Sequence, residues 1–168
     1  MKAVAKFEKV SFEQFKKDMG DFELSDSALA DVYDRIKLPK RATAFSAGYD
    51  IYSTVSFKLH PGETIKIPTG IRCRIDDDYA LFIFPRSGLG FKYRLQLNNT
   101  VGVVDSDYYG SDNEGHIFVK RTNDSNEGKS VEIGEGDAFS QGIFLQYGVT
   151  EDDDATGVRN GGFGSTSK

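Results

Sequence analysis

The chain has 168 residues, of which 38% are hydrophobic, and this suffices for one ordinary domain with a packed core. Its net charge of −5, without a basic stripe, argues against a protein that binds nucleic acid by neutralising phosphates. The single cysteine excludes a disulfide framework, and no apolar run approaches a membrane span or a signal peptide, so we expect a soluble cytoplasmic protein.

The first predicted elements are one strand and two short helices. Residues 2–10 alternate apolar and polar side chains, which indicates a strand. Ser11 followed by Gln14 is a capping-box pattern that begins a helix. Apolar side chains then recur at helical spacing, namely Phe12, Phe15 and Met19 in one helix and Leu29, Val32, Tyr33 and Ile36 in the next. We therefore predict that residues 11–36 form a helical segment that packs over a sheet.

From Pro39 onward the pattern changes to short strands. Runs such as YDIYS, VSFKL, TIKI, IRCRI, ALFIF, YRLQL, HIFVK, SVEI and FSQGIFLQY are separated by glycine and proline turns. Many short strands without intervening helices predict an all-β sandwich, jelly roll or barrel at 37–150. Within IRCRI, Cys73 shares a strand face with Ile71 and Ile75, which indicates a small core residue.

The chain ends in an acidic linker and a small, polar tail at 151–168. Such a composition buries little apolar surface, so we expect this segment to be flexible on its own. It nevertheless carries a large aromatic residue, Phe163, within a glycine run. The sequence thus predicts a single domain spanning 1–168, with a tail whose phenylalanine needs a packing partner elsewhere.

Four internal segments contain candidate site residues, and each has an ordinary structural alternative. In FPRSGLGFK, Arg86, Ser87 and Gly88 could form an anion site or a plain tight turn. In NNTVGVVDSDYYG, Asp105 follows two valines, and apolar surroundings favour a general base, although an acidic β-turn would look the same. The segment from Asn99 to Val104 could form a hairpin with Gly102 near its turn. Asp50 and Gln141 lie in segments that, taken in isolation, indicate only an ordinary strand start and an ordinary hairpin strand.

Taken in order, five segments resemble the five motifs of the homotrimeric dUTPase family. They are AGYDIYS, PRSGLGFK, GVVDSDYYG, GDAFSQGIF and RNGGFGSTS, and they spread over about the last 130 residues. The resemblance implies a jelly-roll-like dUTPase fold that assembles as a trimer, with active sites shared between subunits. It also implies hydrolysis of dUTP to dUMP and pyrophosphate, with Mg²⁺ held by the substrate phosphates and water and by no protein ligand.

The resemblance also implies a role for each matching residue of the body. Asp105 matches the aspartate that activates water for attack on the α-phosphorus. Tyr108 matches the tyrosine that lies against deoxyribose and excludes a 2′-hydroxyl. The remaining matches concern binding: Asn99, Gly102 and Val104 for uracil, Arg86, Ser87, Gly88 and Gln141 for the phosphates, and Asp50 as a supporting residue.

For the tail, the resemblance implies that it crosses to a neighbouring subunit and closes over the nucleotide. Phe163 matches the aromatic residue that stacks on uracil, which would give this side chain its packing partner. Arg159 matches the arginine that holds the γ-phosphate. Gly164, Ser165 and Thr166 match the residues that wrap the phosphates.

The chain departs from the family pattern at several positions. Ala138 stands where an arginine is often found, and the tail has one residue fewer between Arg159 and Gly161. The segments 11–36 and 111–115 are extra, and we hypothesise that one of them contacts a protein partner.

Three alternatives to a dUTPase stay open at this point. A dCTP deaminase, or a bifunctional deaminase and dUTPase, would share the fold. A dUTP-responsive binding protein would act through a partner. A structural jelly roll would leave the composition of the tail unexplained.

Overall fold

The computed structural model describes residues 2–161, in which strands far outnumber helices. The strands β1–β12 are Ala5–Lys9, Lys40–Arg41, Tyr49–Tyr52, Phe57–Leu59, Thr64–Pro68, Ile71–Ile75, Tyr79–Pro85, Leu95–Leu97, Gly102–Val104, Phe118–Asn123, Val131–Ile133 and Ala138–Gln146. The helices α1–α3 are Phe12–Asp18, Asp26–Arg35 and Ser87–Tyr93, and a 3₁₀ helix spans Ser106–Gly110. The predicted tail residues Phe163, Gly164, Ser165 and Thr166 lie outside the described residues.

The strands form several antiparallel sheets. The largest has the order β2-β3-β12-β7-β9, and a three-stranded sheet has the order β5-β10-β8. Two further pairs join β1 to β6 and β11 to β4. None of the sheets within residues 2–161 closes into a barrel. The predicted all-β, jelly-roll-like fold is confirmed.

One core fills the space between the sheets, and strand alternation explains its composition. In β6, the alternating residues Ile71, Cys73 and Ile75 are buried, as the sequence predicted for Cys73. Burial raises the pKa of the Cys73 thiol to about 12, because the thiolate would lose its hydration. The free cysteine is therefore a packing residue that stays protonated at neutral pH.

The two predicted N-terminal helices are present as α1 and α2, and they have a small core of their own. Val10, Phe15, Met19, Leu29 and Val32 form this cluster, with Phe12, Tyr33 and Ile36 packed against it. Each helix begins at a serine whose hydroxyl accepts a hydrogen bond from a backbone N–H of the first turn, as N-caps do. None of the helices within residues 2–161 has the length and apolar character needed to cross a membrane.

The capping box predicted at α1 is only half present. The Ser11 hydroxyl accepts from the Gln14 N–H at 3.1 Å, as expected. However, the Gln14 side chain donates to Asp18, and the Ser11 N–H donates to the Glu114 carboxylate at 2.7 Å. A carboxylate is the stronger acceptor, so a distant glutamate takes the place of the local amide.

Two local alternatives that the sequence left open are not seen in the structure. The segment after β7 is the helix α3 and not a tight turn, which glycines at positions 88 and 90 obscured because they disfavour helices. The possible hairpin is also not formed, because β8 pairs with β10 whereas β9 pairs with β7. Gly102 lies in β9 and not at a turn. The turn between β8 and β9 contains Thr100, whose φ of 65° lies in the left-handed region.

Substitution of Gly115 tests how closely the loop before β10 packs against the backbone of the 3₁₀ helix. Both Gly115 and Gly128 have a φ of +71°, but a Cβ at Gly115 would lie 2.7 Å from the Tyr108 carbonyl oxygen, whereas one at Gly128 would meet nothing within 4 Å. We predict that Gly128→Ala lowers the free energy of unfolding by about 1 kcal/mol through backbone strain alone. Gly115→Ala should cost at least about 1–2 kcal/mol more, because backbone atoms must move. Equal losses in urea unfolding would contradict this packing.

Candidate active site

The central strand β7 organises the candidate site, because both strands that pair with it, β12 and β9, carry or adjoin predicted site residues. β12 pairs with β7 along its length, from Ser140 opposite Pro85 to Gln146 opposite Tyr79. On the other edge, β9 pairs with β7, with Val104 opposite Leu81. The predicted phosphate and base residues therefore lie on elements that share one strand.

Asp50, Arg86 and Gln141 form one polar cluster at the end of β7. Gln141 pairs with Asp50 across the sheet, and Arg86 follows β7 directly. The Arg86 Nε atom lies 3.0 Å from Asp50 Oδ1, and its Nη1 donates to the Ala138 carbonyl at 3.0 Å. Gln141 Nε2 donates to the Pro85 carbonyl at 2.9 Å. The orientation of Arg86 is thus fixed before any anion arrives.

An open groove of about 500 Å³ lies beside this cluster, and we call it the arginine groove. Its lining includes Arg86, Ser87, Phe91, Arg94 and Gln141. Ser87 and Gly88 occupy the first turn of α3, and a Cβ at Gly88 would meet nothing within 4 Å. Two guanidinium groups and a hydroxyl at one open surface suit a polyanion.

A second depression, the apolar cavity, has a volume of about 370 Å³. It brings together three predicted residues, Asn99, Gly102 and Val104, with Ile83 and Leu97 behind them. Gly102 permits a close approach of β9 to β7, since a Cβ there would lie 3.1 Å from the Ile83 Cβ. An apolar cavity with an amide and backbone groups at its edge is typical of a small-molecule binding site.

Asp105 lies immediately after the cavity-lining Val104 and ahead of the 3₁₀ helix. Its carboxylate is 46% exposed and pairs with the Arg159 guanidinium, which also donates from Nε to Asp107 at 2.8 Å. The two preceding valines both line the apolar cavity, but Val104 is buried whereas Val103 is half-exposed, and the Asp105 carboxylate stays open to water. The aspartate thus has a charged neighbour and access to water.

Tyr108 is buried one turn beyond Asp105, with 4% of its surface exposed. Its hydroxyl donates to the His116 carbonyl at 2.7 Å and accepts from the Asn113 amide at 2.8 Å. Burial raises the pKa of Tyr108, so the hydroxyl stays a donor at neutral pH. The Arg159 guanidinium carbon lies 5.8 Å from the ring centroid, which brings Tyr108, Asp105 and Arg159 together.

Within the described residues, the arginine groove and the apolar cavity are not joined into a single pocket. Among the described residues, none lines both the arginine groove and the apolar cavity. Arg159, which the resemblance places at a phosphate, contacts the carboxylates beside the cavity instead. The predicted roles of the remaining tail residues fall outside the described part of the chain.

Sequence reasoning missed several residues that surround the predicted ones. Lys66, Phe118 and Lys120 line the apolar cavity, and Asn113 and His116 hold the Tyr108 hydroxyl. The alternation of Phe118 and Lys120 on β10 was a usable signal for a shared face. No local pattern pointed to Asn113 or His116, because their contacts depend on how the loop folds back.

Comparisons with known proteins agree with this geometry. A family model described as dUTPase matches residues 34–167. The deoxyuridine 5′-triphosphate nucleotidohydrolase of Lactococcus lactis subsp. lactis is 41% identical over 134 residues, which cover 78% of this chain and 88% of the relative. The crystal structure of dUTPase from Streptococcus mutans superposes with a TM-score of 0.63 at 31% identity, covering 86% of this chain and 98% of that one.

A mutant dUTPase from phage phi11 of S. aureus also superposes, with a TM-score of 0.63 over 92% of this chain and 98% of that one. At 19% identity this likeness concerns the fold alone. That structure is described as revealing the coordination of a structural Mg(II) ion. The family model leaves out residues 11–33, so most of the helical segment is additional to it.

The ion pair between Asp50 and Arg86 yields a prediction about anion binding. Asp50→Asn should weaken binding of an α,β-imido analogue of dUTP about tenfold, because Arg86 loses the partner that orients it. The free energy of unfolding should fall by only about 0.5–1 kcal/mol, since the pair is partly exposed. Titration calorimetry and urea unfolding measure the two quantities.

Glu132→Gln is the matched control for Asp50→Asn. It breaks the exposed pair with Lys58, and Glu132 lines neither the groove nor the cavity. This variant should bind the analogue as the parent chain does. A tenfold loss in both variants, or in neither, would contradict the role given to Asp50.

Proposed function

The chain belongs to the dUTPase family and is a dUTP diphosphatase that hydrolyses dUTP to dUMP, and we propose that it does so by attack of a water activated by Asp105. The water oxygen attacks the α-phosphorus as Asp105 takes its proton. The bond between the α-phosphorus and the α,β-bridging oxygen breaks, and pyrophosphate leaves with that oxygen. Phosphoanhydride hydrolysis requires little beyond a positioned water, a base and charge neutralisation.

The position of Asp105 is the observation that carries this proposal. The residue stands between Val104, which lines the apolar cavity, and the turn that contains the buried Tyr108. A nucleotide with its base in the cavity and its sugar against Tyr108 would extend its first phosphate toward this carboxylate. Its partial exposure leaves room for the attacking water.

Recognition of dUTP follows from the same surroundings. Asn99, Gly102 and Val104 would read uracil, with Phe163 stacked on its outer face. Tyr108 would pack against deoxyribose and leave no room for a 2′-hydroxyl. The Arg159 guanidinium, which neutralises Asp105 and Asp107 in the single chain, would transfer to the γ-phosphate when the tail closes. Gly164, Ser165 and Thr166 would then cover the phosphates and exclude water.

Neutralisation of the phosphates would come from arginines and from Mg²⁺. Within residues 2–161, no three His, Cys, Asp or Glu side chains converge in a way that could hold a metal ion. We propose a magnesium ion that arrives with the triphosphate and keeps its remaining waters, as Mg²⁺ commonly does. When bound, the ion would offset phosphate charge, while Arg86, Ser87, Gly88 and Gln141 bind the phosphate oxygens.

We further propose a homotrimer in which neighbouring subunits complete each site. The arginine groove and the apolar cavity have no lining residue in common among the described residues, so two chains could each supply one half. Large apolar side chains are available for such contacts, since Phe91 in the groove is 91% exposed and Val103 beside the cavity is 50% exposed. Whether residues 11–36 or 111–115 contact another protein stays a hypothesis.

The proposed cellular role follows from the reaction. Removal of dUTP limits the incorporation of uracil into DNA, and dUMP is the precursor for thymidylate synthesis. We propose a cytoplasmic location.

Substitution of Asp105, the proposed general base, tests the mechanism. Asp105→Asn should lower kcat for dUTP by about 10²–10⁴-fold, which is the usual contribution of a general base. Hydrolysis by the parent chain in H₂¹⁸O should place the label in dUMP and none in pyrophosphate. Asp112→Asn, an exposed change nearby in the chain, should leave kcat unaltered. Label in pyrophosphate would refute attack at the α-phosphorus.

Removal of divalent ions tests the proposed place of magnesium. Excess EDTA should abolish dUTP hydrolysis, and Mg²⁺ should restore it. The thermal midpoint of the nucleotide-free protein should stay the same with EDTA or Mg²⁺, because the described residues offer no metal cage. A large stabilisation by Mg²⁺ without nucleotide would show a protein-bound ion instead.

A further inference from the structure

The helical segment 11–36 contacts the loop 111–116, which consists of the predicted insertion 111–115 and the adjoining His116, and both lead to Tyr108. We call the segments 11–36 and 111–116 together the insert unit. Within the described residues, the unit reaches the candidate site at Tyr108, where it contacts the backbone and holds the side-chain hydroxyl. Its donor bond goes to the His116 carbonyl, and its acceptor bond comes from the Asn113 amide. The orientation of the ring is therefore set by a loop outside the nucleotide site.

The loop has little freedom to move away from Tyr108. The Asn113 Oδ1 atom accepts from the Gly115 N–H at 3.2 Å, which closes a tight turn. Gly115 has a positive φ and approaches the backbone of Tyr108 and Tyr109 too closely for any Cβ. Loop and 3₁₀ helix therefore move as one body.

His116 links this loop to the far end of α1. Its imidazole is fully buried, with Nδ1 2.6 Å from Asp18 Oδ2, and Nε2 accepts from the Gly70 N–H at 2.8 Å. Because Nε2 must accept, the single proton sits on Nδ1 and is donated to Asp18. Burial lowers the pKa of His116, which keeps the ring neutral and this arrangement intact at neutral pH.

Glu114 links the same loop to the beginning of α1. Its two carboxylate oxygens accept from the Ser11 N–H at 2.7 Å and from the Ser11 hydroxyl at 2.6 Å. These bonds lower the pKa of Glu114, so it stays ionised at neutral pH. The loop thus contacts α1 at both ends, through Glu114 at the N-cap and His116 at the last helical residue.

We propose that the insert unit is a positioning device for Tyr108 and sets how strictly the enzyme distinguishes deoxyribose from ribose. Asn113 and the His116 carbonyl hold the hydroxyl, and Asp18 holds the His116 ring that fixes the carbonyl. The proposal rests on the proposed role of Tyr108 as the reader of the sugar. In this proposal, Asn113, His116 and Asp18 act through contacts within one chain and not through a protein partner.

Selectivity is the property that this device controls. A tyrosine ring excludes a 2′-hydroxyl only if it cannot rotate or retreat, because a displacement of less than 1 Å makes room for an oxygen atom. Loss of a hydroxyl partner therefore admits UTP more readily and changes the reaction of dUTP little. Asp105, which carries the chemistry, is paired with Arg159 and therefore keeps its place.

The test compares kcat/KM for dUTP and for UTP in Asn113→Ala, Asp18→Ala and the parent chain. Both variants should lower the dUTP-to-UTP ratio about tenfold, through a lower KM and a higher kcat for UTP, with kcat for dUTP within about threefold of the parent. A merely unstable variant loses active enzyme equally for both substrates, so its ratio does not move. Asp112→Ala and Asp26→Ala are the controls, in the same loop and the same helical segment, and should keep the parental ratio.

Tyr108→Leu separates the two possible failures. If this variant keeps the parental ratio, Tyr108 does not read the sugar, and both the assigned role and the inference fall. If it lowers the ratio whereas Asn113→Ala and Asp18→Ala do not, only the inference is overturned, and the insert unit is a structural cover. Thermal melts establish that each variant is folded, and Tyr108→Phe, which keeps the ring, should match Asn113→Ala if the hydroxyl bonds fix its place.

Discussion

The register between β7 and β12 is the constraint on which the candidate site depends. It puts Ser140 opposite Pro85, so that Gln141 and Arg86 meet at one end of the strand pair, and β3 adds Asp50 on the other side of β12. The same β7 carries β9 on its opposite edge and thereby places Val104 and Asp105. Because side chains alternate along a strand, a slip of one residue would turn every one of these groups to the wrong face. The buried residues Ile83 and Phe139 resist such a slip, since it would expose them to water.

Paired charges are a second theme of the site. Arg86 is held by Asp50, and Arg159 is held by Asp105 and Asp107, so each guanidinium has an anionic partner in the single chain. Such pairs keep the arginines oriented at a modest cost, because they are partly exposed and water screens them. A triphosphate carries more negative charge than one carboxylate and can compete for the same guanidinium groups. Each of these arginines can therefore exchange its carboxylate partner for a phosphate group.

The local pattern of the sequence was enough for the class of fold, for both N-terminal helices and for most strands. The ordered series of five motifs was enough to identify the family, and the roles that it gives to Asp105 and Tyr108 stay predictions. It was not enough for contacts between distant segments, such as Asp18 with His116, which are 98 positions apart. It also failed where local preference is overridden, as in the glycine-containing α3 and in the left-handed Thr100. The helical segment, taken at first for a simple cover, contacts the loop that holds Tyr108 because of bonds that no periodicity encodes.

The burial of Cys73 makes the chain convenient for site-specific chemistry. It is the one cysteine of the sequence, it lies inside the β6 face of the core, and its thiol stays protonated far above neutral pH. Thiol reagents attack thiolates that they can reach, so the folded protein presents no competing target. A cysteine introduced near the end of the chain could therefore carry a fluorophore on its own, without prior removal of the natural residue. The proposed closure of the tail over nucleotide would then give an optical signal in an otherwise unaltered enzyme.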